Sequence, residues 1–504
     1  MTDTTLEEFL DTAHSRVVTP VVRRLFADSE TPMGLYRKLS TGVGSFLLES
    51  ADQGGKWSRY SFMGVSVHGT LLESGGKALW RAEGMTEHEA FGAALPADPL
   101  DALRVINDRW LSKPVPGLPP FSGGLVGHLG WDIVRLLEDL PNPPQKTHHV
   151  PSVFMSLVKD LVAFDHQTSE VVLIALVHSQ EPASTEHFEE AQGRLEALHR
   201  LLATPTSSTL HQRQEPAENP PEASIDSATF YAMVSRAKQH IADGDVFQVV
   251  LSQQFEVEVR ADALSVYRVL RQLNPSPYMY LLECEDHNGV AYQVVGSSPE
   301  ALVSVHKGRV YSHPIAGSRP RGDSPERDNE LAEDLLQDAK EKAEHLMLVD
   351  LARNDLSKVC VAGSVDVTEF MQVERYSHIM HLVSSVEGDL MKGKSSVDVL
   401  TATFPAGTLS GAPKPRALQI IDDLEPAARG VYGGVVGYFA HSGDADVAIA
   451  IRTIWMSGNR AIVQAGAGIV ADSDPKSEYL ETIHKASAPL RAITLANALQ
   501  PDRS

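Results

Sequence analysis

The segment HPIAGSRPRG, residues 313–322, combines a glycine, a hydroxyl group and two guanidinium groups within a short stretch. Gly317 would let a ligand approach the backbone closely, Ser318 offers a hydroxyl group, and Arg319 and Arg321 could hold an anion. The same residue types are common in loops, so a basic turn between two strands is the alternative interpretation. The segment is therefore a candidate anion site.

Two pairs of glutamates recur at a spacing of three residues. Glu341 and Glu344 lie in QDAKEKAEHLML, and Glu478 and Glu481 lie in DPKSEYLETIHK. Side chains three apart share one face of a helix, so each pair could converge on one point. Mg²⁺ is typically bound by one or two carboxylates together with substrate oxygens. A shared magnesium site is one interpretation, and two solvated acidic helix faces are the other.

A third candidate lies in the C-terminal stretch DADVAIAIRTIWMSGNRAIVQAGAGIVADSDP, which predicts two strands joined at Ser-Gly-Asn. Alternation places Ala448, Ala450 and Arg452 on one face, and the partner strand opposes them with Gly466 and Gly468. Glycine within a strand often marks the close approach of a ligand or of another backbone. The pattern predicts either an anion pocket around the guanidinium group or a tight sheet contact.

Composition limits the classes of partner. The chain has 504 residues, 42% of them apolar, and a formal net charge of -22. Nucleic-acid binding needs a basic footprint, so this charge argues against it. An anionic substrate gains nothing from the overall field, and its site must be locally positive or use a metal. The length allows two or three domains or one large double domain.

The chain also predicts a cytoplasmic location. Its two cysteines, Cys284 and Cys360, do not form a disulfide framework, which fits a reducing compartment. The first residues, MTDTTLEEFLDTAHS, lack the basic and apolar regions of a signal peptide. The sequence also lacks the roughly 18 consecutive apolar residues of a membrane span. We therefore expect a soluble, acidic protein without a membrane partner.

The strand and helix patterns are grouped along the chain instead of alternating singly, which favours an α+β fold of antiparallel sheets flanked by helices. Residues 203–225 are rich in Pro, Ser, Thr and Glu and predict a linker. This linker would separate an N-terminal part, 20–202, from a C-terminal part, 226–495. Strands are predicted within 43–50, 152–165, 170–179, 244–259, 278–285, 291–298 and 301–315, and helices within 186–203, 327–355 and 396–404.

Ten phrases of the sequence, in this order, resemble those of the chorismate-utilising enzymes, and most closely the large subunits (component I) of anthranilate synthases. The phrases are FLLES, NPSPYMY, GSSPE, PIAGSRPRG, EHLMLVDLARNDL, HLVSSVEG, FPAGTLSGAPK, YGGVVGY, AIRTIW and QAGAGIVADSDP. The resemblance spans nearly the whole chain. It implies the chorismate-binding fold of this family, with the two parts of the chain interlocked.

The resemblance implies a Mg²⁺-dependent reaction, the first committed step of tryptophan biosynthesis. Chorismate would be aminated by ammonia to aminodeoxyisochorismate, which would then lose pyruvate to give anthranilate. Serine at position 318, where the family has threonine, keeps the hydroxyl group but would position the substrate more loosely. The implied substrate contacts are Gly317, Ser318, Tyr432, Arg452, Gly466, Ala467, Gly468 and Lys485, and the implied metal ligands are Glu344 and Glu481, with Glu341 and Glu478 close by.

The same resemblance implies catalytic roles. Glu300 would protonate the departing C4 hydroxyl, and His381, with Thr408 nearby, would serve the elimination of pyruvate. Aminodeoxychorismate synthases carry a lysine nucleophile where this chain has Ala316, and isochorismate-forming relatives place a lysine base where it has Gln248. Ammonia should therefore be the nucleophile. The alternatives are another chorismate enzyme of these two kinds, or a non-catalytic protein that senses tryptophan.

Partners and control follow from the resemblance as well. Neither cysteine has the surroundings of an activated glutaminase nucleophile. Ammonia should therefore come from a separate glutaminase subunit (component II). The two kinds of subunit would form a hetero-oligomer, expected to be a heterotetramer. The family uses residues matching two segments on opposite sides of the linker to bind tryptophan as an inhibitor. The implied tryptophan contacts are Glu49, Ser50, Pro277, Tyr278 and Met279.

Overall fold

The structure is a computed structural model, and it describes residues 3–51, 59–206, 211–213, 222–375 and 379–501. Within the predicted linker, residues 207–210 and 214–221 lie outside the described residues. No helix in the described ranges is long and apolar enough to cross a membrane.

Helices and strands are mixed along the chain, and the strands pair antiparallel, so the predicted α+β fold class is confirmed. The strands are β1 Val18–Phe26, β2 Phe46–Glu49, β3 Tyr60–Ser74, β4 Lys77–Ala82, β5 Gly124–Leu129, β6 Val153–Asp165, β7 Glu170–His178, β8 His211–Arg213, β9 Glu222–Ala223, β10 Gln248–Glu258, β11 Tyr278–Glu285, β12 Ala291–Ser298, β13 Ala301–His306, β14 Arg309–Ser312, β15 Ile315–Pro320, β16 Asp366–Arg375, β17 Ile379–Asp389, β18 Gly411–Ala412, β19 Val435–Ala440, β20 Ala445–Ile449, β21 Thr453–Ser457, β22 Arg460–Ile469 and β23 Leu499–Pro501. The helices are α1 Leu6–Ala13, α2 Pro32–Leu39, α3 Glu87–Phe91, α4 Pro99–Arg109, α5 Thr185–Ala203, α6 Ser227–Ala242, α7 Ala263–Leu273, α8 Pro325–Gln337, α9 Ala339–Ser357, α10 Ser396–Thr403, α11 Lys414–Leu424 and α12 Pro475–Asn497, with a 3₁₀ turn at Trp131–Leu136.

Strands from before and after the predicted linker pair directly with each other. β2 runs antiparallel to β11, and β5 runs antiparallel to β19. Successive residues of β2 point to opposite faces of the sheet, so Phe46 enters one large apolar cluster and Leu47 enters a second one. The sheet is therefore covered on both faces, and the chain on both sides of 203–225 contributes to both clusters. The boundaries 20–202 and 226–495 stay predictions.

Two predicted elements are wrong in detail. The helix expected over 327–355 is two helices, because Asp338 ends α8 and caps α9 by accepting hydrogen bonds from the N–H groups of Lys340 and Glu341 at 2.9 and 3.1 Å. The first strand of the C-terminal pair is also broken, into β20 and β21. Arg452 lies in the break with φ +51°, a left-handed conformation outside the β region.

The break changes which strands face the two glycines. β21 pairs with β22 only as far as Val463, which lies opposite Ile454. Gly466 and Gly468 instead lie opposite Ser252 and Val250 of β10. The glycines therefore do not oppose the segment that contains Arg452 within one hairpin, as the sequence pattern predicted. They approach the site from a different strand pair.

The most deeply buried ion pair joins Arg429 and Glu425, whose side chains are 1% and 2% exposed. Nε and Nη2 of the guanidinium donate to the two carboxylate oxygens at 2.9 and 2.7 Å. The remaining N–H groups donate to the carbonyl oxygens of Leu409 and Val250, and the guanidinium lies over the ring of Trp131 at 4.2 Å. One side chain therefore connects α11, β10 and the N-terminal part.

We expect Arg429→Met to lower the free energy of unfolding by about 3–5 kcal/mol, because it leaves the Glu425 carboxylate buried without its partner. Urea denaturation measures the change. The matched control is Arg460→Met, which removes an ion pair to Glu256 whose side chains are 43% and 54% exposed. That change should stay within about 1 kcal/mol. Equal losses in the two variants would contradict the special role of Arg429.

Candidate active site

Glu300 lies between β12 and β13, and its carboxyl group has a strongly raised pKa. Oγ1 of Thr408 donates a hydrogen bond to Glu300 Oε1 at 3.1 Å. Desolvation by burial raises the pKa of Glu300 to about 7, although the Thr408 hydrogen bond and the charge of Lys485 act in the opposite direction. A carboxyl group with this pKa is still substantially protonated near neutral pH and can act as an acid. The family resemblance implies that Thr408 lies near His381, whereas in the structure its hydroxyl contacts Glu300.

His381 on β17 lies opposite Ser318 on β15. Its Nδ1–H donates to the carbonyl oxygen of Gly317 at 3.0 Å, which fixes the orientation of the ring. Burial lowers the pKa of His381, and the nearby charge of Arg452 lowers it further. A neutral imidazole oriented in this way can accept a proton at Nε2.

Gly317 joins the same strand to helix α9. Its φ of +72° favours glycine, and a Cβ at this position would lie 3.0 Å from Glu341 Oε2 and 3.2 Å from a methyl group of Leu335. Glycine therefore allows the β15 backbone to run directly against the first of the two glutamate pairs.

Arg452 is the cation of the site. Its guanidinium group makes no hydrogen bond or ion pair with another residue in the described part of the chain. Burial lowers the pKa of Arg452, while the nearby Tyr432 and Glu481 act to raise it. A largely buried guanidinium group without a carboxylate partner is suited to bind an anion from outside the chain.

Lys485 and Tyr432 both lie against Gly466, and Tyr432 is also close to Arg452. The Lys485 Nζ donates to the Gly466 carbonyl oxygen at 3.1 Å and pairs with Glu481 Oε1 at 2.7 Å. A Cβ on Gly466 would lie 2.7 Å from the Tyr432 hydroxyl. These contacts bring the predicted substrate residues of β22, α12 and the 432 turn into one region.

Gln248 connects the second glycine to the glutamates of α9. A Cβ on Gly468 would lie 2.5 Å from Gln248 Nε2, and the same nitrogen donates to Glu344 Oε1 at 3.4 Å. Ala467, between the two glycines, is fully buried and lies opposite Leu251 of β10. The backbone of 466–468 therefore lies between Lys485 on one side and Gln248 with Glu344 on the other.

The two glutamate pairs carry carboxylates that repel one another. Burial raises the pKa of Glu341, and the charge of Glu344 adds to the effect. Burial likewise raises the pKa of Glu478, with a further contribution from Glu481. Within the described ranges, no group of three or more His, Cys, Asp or Glu side chains is arranged to hold a metal ion. Lys485 and Arg319 balance part of this negative charge, through Glu481 at 2.7 Å and Glu341 at 3.5 Å. The carboxylate oxygens nevertheless suit a hard divalent cation that takes its remaining ligands from a substrate.

Arg319 and Arg321 pair with acidic side chains of this chain and do not form the predicted anion site. Arg319 pairs with Asp334 and Asp338 at 2.7 and 2.8 Å, and Arg321 pairs with Asp328 at 2.7 Å. Both guanidinium groups hold the β15 strand against α8 instead of facing an external anion. The prediction that they hold the anion is therefore wrong, because aspartates on and at the end of the following helix neutralise them.

The five residues predicted to bind tryptophan come together where β2 pairs with β11, since Met279 lies opposite Glu49. The Glu49 carboxylate is buried, accepts a hydrogen bond from the Tyr267 hydroxyl, and lies 3.3 Å from Nε of Arg271. Met279 is 1% exposed. Ser50 and Pro277 are partly exposed beside this pair, and Tyr278 donates to Asp446 at 3.0 Å.

Two contacts that support the site were not found from the sequence. His345, next to Glu344 on α9, is fully buried, and its Nε2 lies 2.6 Å from the hydroxyl of Ser384 on the His381 strand. The Arg429–Glu425 pair packs against Tyr432, with the guanidinium 5.6 Å from its ring centre. Glu425 and Arg429 are four residues apart, the spacing of an ion pair within a helix. The sequence does not predict a helix there, however, because Pro426 lies between them.

The comparisons with known proteins agree with this geometry. The family model described as chorismate binding enzyme matches residues 68–491. The anthranilate synthase component 1 of Arthrobacter globiformis is 51% identical, covering 98% of this chain and 93% of that protein. The corresponding protein of Mycolicibacterium smegmatis is 46% identical over 98% of this chain and 94% of its own length.

A solved structure agrees as well. The crystal structure of anthranilate synthase component I from Streptococcus pneumoniae superposes with a TM-score of 0.74 at 37% identity, covering 86% of this chain and 92% of that one. The chain therefore belongs to the chorismate-binding enzymes and, within them, to the anthranilate synthase component 1 family.

Proposed function

We propose that this chain converts chorismate and ammonia into anthranilate, pyruvate and water in a Mg²⁺-dependent reaction. The observation that carries the proposal is a pair of groups. Arg452 is a largely buried guanidinium group without an ion-pair partner among the described residues, and Glu300 has a carboxyl group whose pKa is raised to about 7. An anionic substrate needs the first group, and the loss of a hydroxyl group needs the second.

Substrate binding would rest on side chains and backbone that the contacts above bring together. A carboxylate of chorismate would pair with Arg452, and the hydroxyl of Tyr432 and the ammonium of Lys485 would add hydrogen bonds. Gly466 and Gly468 let the Tyr432 hydroxyl and the Gln248 amide lie directly against this backbone, because a Cβ at either position would collide with them. The loop of Gly317 and Ser318 would close the other side.

The first step would form a C–N bond and break a C–O bond. Ammonia would add at C2 while the protonated Glu300 carboxyl gives its proton to the C4 hydroxyl, which leaves as water. General acid catalysis of this kind contributes roughly 10²- to 10⁴-fold. Thr408 would hold the Glu300 carboxyl in position through its hydrogen bond.

The second step would release pyruvate from aminodeoxyisochorismate. The neutral imidazole of His381 would take the C2 proton as the C3–O bond breaks, and the enolpyruvyl group would gain a proton at its methylene carbon. The hydrogen bond from Nδ1 to the Gly317 carbonyl leaves Nε2 as the basic nitrogen.

Glu344 and Glu481 would hold the Mg²⁺ ion, with Glu341 and Glu478 beside them. When bound, the ion would supply positive charge to a carboxylate of the substrate. Lys485, which pairs with Glu481, would connect this carboxylate to the substrate-binding backbone.

Ammonia would come from a glutaminase subunit. Burial raises the pKa of Cys284 well above its usual range and raises that of Cys360 to about 11, so neither thiol has the thiolate character of a glutaminase nucleophile. The relatives are named component 1, which supports a second component that completes a hetero-oligomer. We propose a heterotetramer in the cytoplasm, where free cysteines such as these stay reduced.

We expect the isolated chain to form anthranilate from chorismate, Mg²⁺ and an ammonium salt, but not from glutamine, because it lacks a glutaminase nucleophile. Anthranilate fluorescence measures the product. Adding a glutaminase component 2 should restore glutamine-dependent activity. Glutamine-dependent activity of this chain alone would contradict the partner proposal, and formation of isochorismate or aminodeoxychorismate would favour the alternative chorismate enzymes.

We expect kcat/KM for chorismate to fall as the pH rises through about 7, because Glu300 then loses its proton. Thr408→Val should move the pH at which kcat/KM falls (the alkaline limb of the pH profile) upwards by up to about one unit, since the hydroxyl group stabilises the carboxylate form. Thr408→Ser keeps the hydroxyl group and should restore the parent profile. The profiles are compared at a constant concentration of un-ionised ammonia. A limb that stays in place in Thr408→Val would rule out Glu300 as the titrating acid.

We expect Glu344→Gln and Glu481→Gln to weaken Mg²⁺ binding by more than the roughly 10- to 100-fold typical of an outer-shell change, because each removes an anionic ligand. Titration calorimetry with Mg²⁺ in the presence of chorismate measures binding, and circular dichroism checks the fold. Glu333→Gln, on the exposed face of α8, is the matched control. Near-parental Mg²⁺ affinity in either test variant would show that the ligands are wrongly assigned.

We expect tryptophan to raise the apparent KM for chorismate of the parent chain by roughly 5- to 150-fold, the usual range of coupling between two sites. Ser50→Phe should fill the pocket beside the β2–β11 pair and remove this effect while leaving turnover intact. Ser235→Phe, on the exposed face of α6, is the control for the substitution itself. The site is misplaced if Ser50→Phe remains as sensitive as the parent.

A further inference from the structure

A cavity of about 310 Å³ in the N-terminal part shares no residue with the candidate active site or the predicted tryptophan site. It lies between β3, β6 and β7 and the helices α4 and α5, and its volume is that of a small-molecule site. Three nitrogen-bearing side chains on its wall, those of His68, Lys159 and Arg194, have groups that the described residues do not satisfy.

Each of the three groups is identified by its contacts. His68 is 8% exposed, and its Nδ1 is buried without a hydrogen-bond partner. Nε of Arg194 is likewise buried without a hydrogen-bond partner, although it lies 3.9 Å from Glu190 Oε1 and the Nη1 of the same guanidinium pairs with Asp160 at 2.5 Å. The ammonium group of Lys159 forms no hydrogen bond or ion pair within the described part of the chain. Buried nitrogens without a hydrogen-bond partner, such as those of His68 and Arg194, are uncommon in native proteins.

Gly84 leaves open the space between two of these groups. A Cβ on Gly84 would meet nothing closer than His68 Nδ1 at 3.7 Å and Lys159 Nζ at 3.9 Å. The absent side chain thus leaves room for a ligand atom between an imidazole nitrogen and an ammonium group. The acidic residues of the wall do not occupy this space. Glu89 accepts two hydrogen bonds from Thr86, and Glu190 is 63% exposed and 3.9 Å from Arg194.

The protonation of His68 follows from a chain of three histidines. His68 Nε2 lies 3.1 Å from His178 Nδ1, and His178 Nε2 lies 3.1 Å from His441 Nε2. Burial lowers the pKa of all three, so each is neutral and carries one ring proton. His441 donates its proton to the carbonyl oxygen of Trp110. The chain is therefore aligned towards Trp110, and Nδ1 of His68 presents a lone pair to the cavity.

We propose that this cavity binds a small anion that carries its own hydrogen-bond donor, as hydrogen phosphate and α-hydroxy acids do. The anionic oxygens meet Lys159 and Nε of Arg194, and the hydroxyl group of the ligand donates to Nδ1 of His68. The hydrogen phosphate dianion and sulfate have the same tetrahedral shape and the same charge, but only hydrogen phosphate has the donor. The site should therefore distinguish them.

The test measures phosphate and sulfate binding to the full-length chain by titration calorimetry and by the rise in melting temperature, at constant ionic strength and slightly alkaline pH. We expect saturable binding of phosphate that is about tenfold or more tighter than that of sulfate, equivalent to the loss of one hydrogen bond. Lys159→Met should weaken phosphate binding at least about tenfold. Lys77→Met, which changes an exposed lysine of β4, should not.

A second comparison identifies the source of the anion. Lactate and propionate differ only by the hydroxyl group, so selectivity for lactate over propionate supports the same chemistry and assigns the site to an α-hydroxy acid. Arg452→Gln excludes the active site as the origin of the signal and should leave phosphate binding unchanged. Equal binding of phosphate and sulfate, binding that survives Lys159→Met, or no saturable binding of either ion or of lactate would overturn the proposal.

Discussion

The buried ion pair between Arg429 and Glu425 is the interaction on which the arrangement of the site depends. Glu425 accepts hydrogen bonds from both the backbone N–H and the hydroxyl group of Ser252, at 2.7 and 2.8 Å, so its carboxylate also holds β10. Gln464 of β22 donates to the same hydroxyl at 2.8 Å. Two charges far from water are stable only with this degree of satisfaction. The pair therefore fixes β10 and β22 relative to each other, and with them the backbone of 466–468.

The charges of the site, unlike those of this network, are only partly balanced by the described residues. The Arg452 guanidinium has no hydrogen-bond or ion-pair partner among them, and the carboxylates of α9 and α12 lie beside like charges, although Glu481 also pairs with Lys485. A protein with a net charge of -22 has acidic groups available to neutralise its cations, as Arg319 and Arg321 illustrate. Leaving Arg452 unpaired and Glu300 desolvated costs stability that the buried network can offset, and it gives both groups the properties that the reaction needs.

Strand pairing across the linker could couple ligand binding in one half of the molecule to the structure of the other half. The β2–β11 contact places the end of FLLES against the start of YMYLLECE, and the β5–β19 contact places 124–129 against the strand before Asp446. Tyr278 contacts Asp446, so the predicted tryptophan region and the strand that leads to Arg452 share a hydrogen bond. A ligand at the first contact acts on the second only through its difference in affinity between two states of this shared sheet.

The sequence by itself determined the α+β class, about half of the described strands, fewer than half of the described helices, and the residues of the family phrases, because alternation, helical periodicity and short motifs are local properties of the chain. Tertiary structure decided the partners. Nothing local indicates that Arg319 and Arg321 pair with aspartates of the next helix while Arg452 has no ion-pair partner within the described ranges, or that Thr408 contacts Glu300. The break at Arg452 was equally hidden, since Ala450, Ile451 and Arg452 continue the alternation of a strand. Glu425 and Arg429 became a pair only because β10, α11 and Trp131 exclude water around them, and burial of that kind depends on the whole fold.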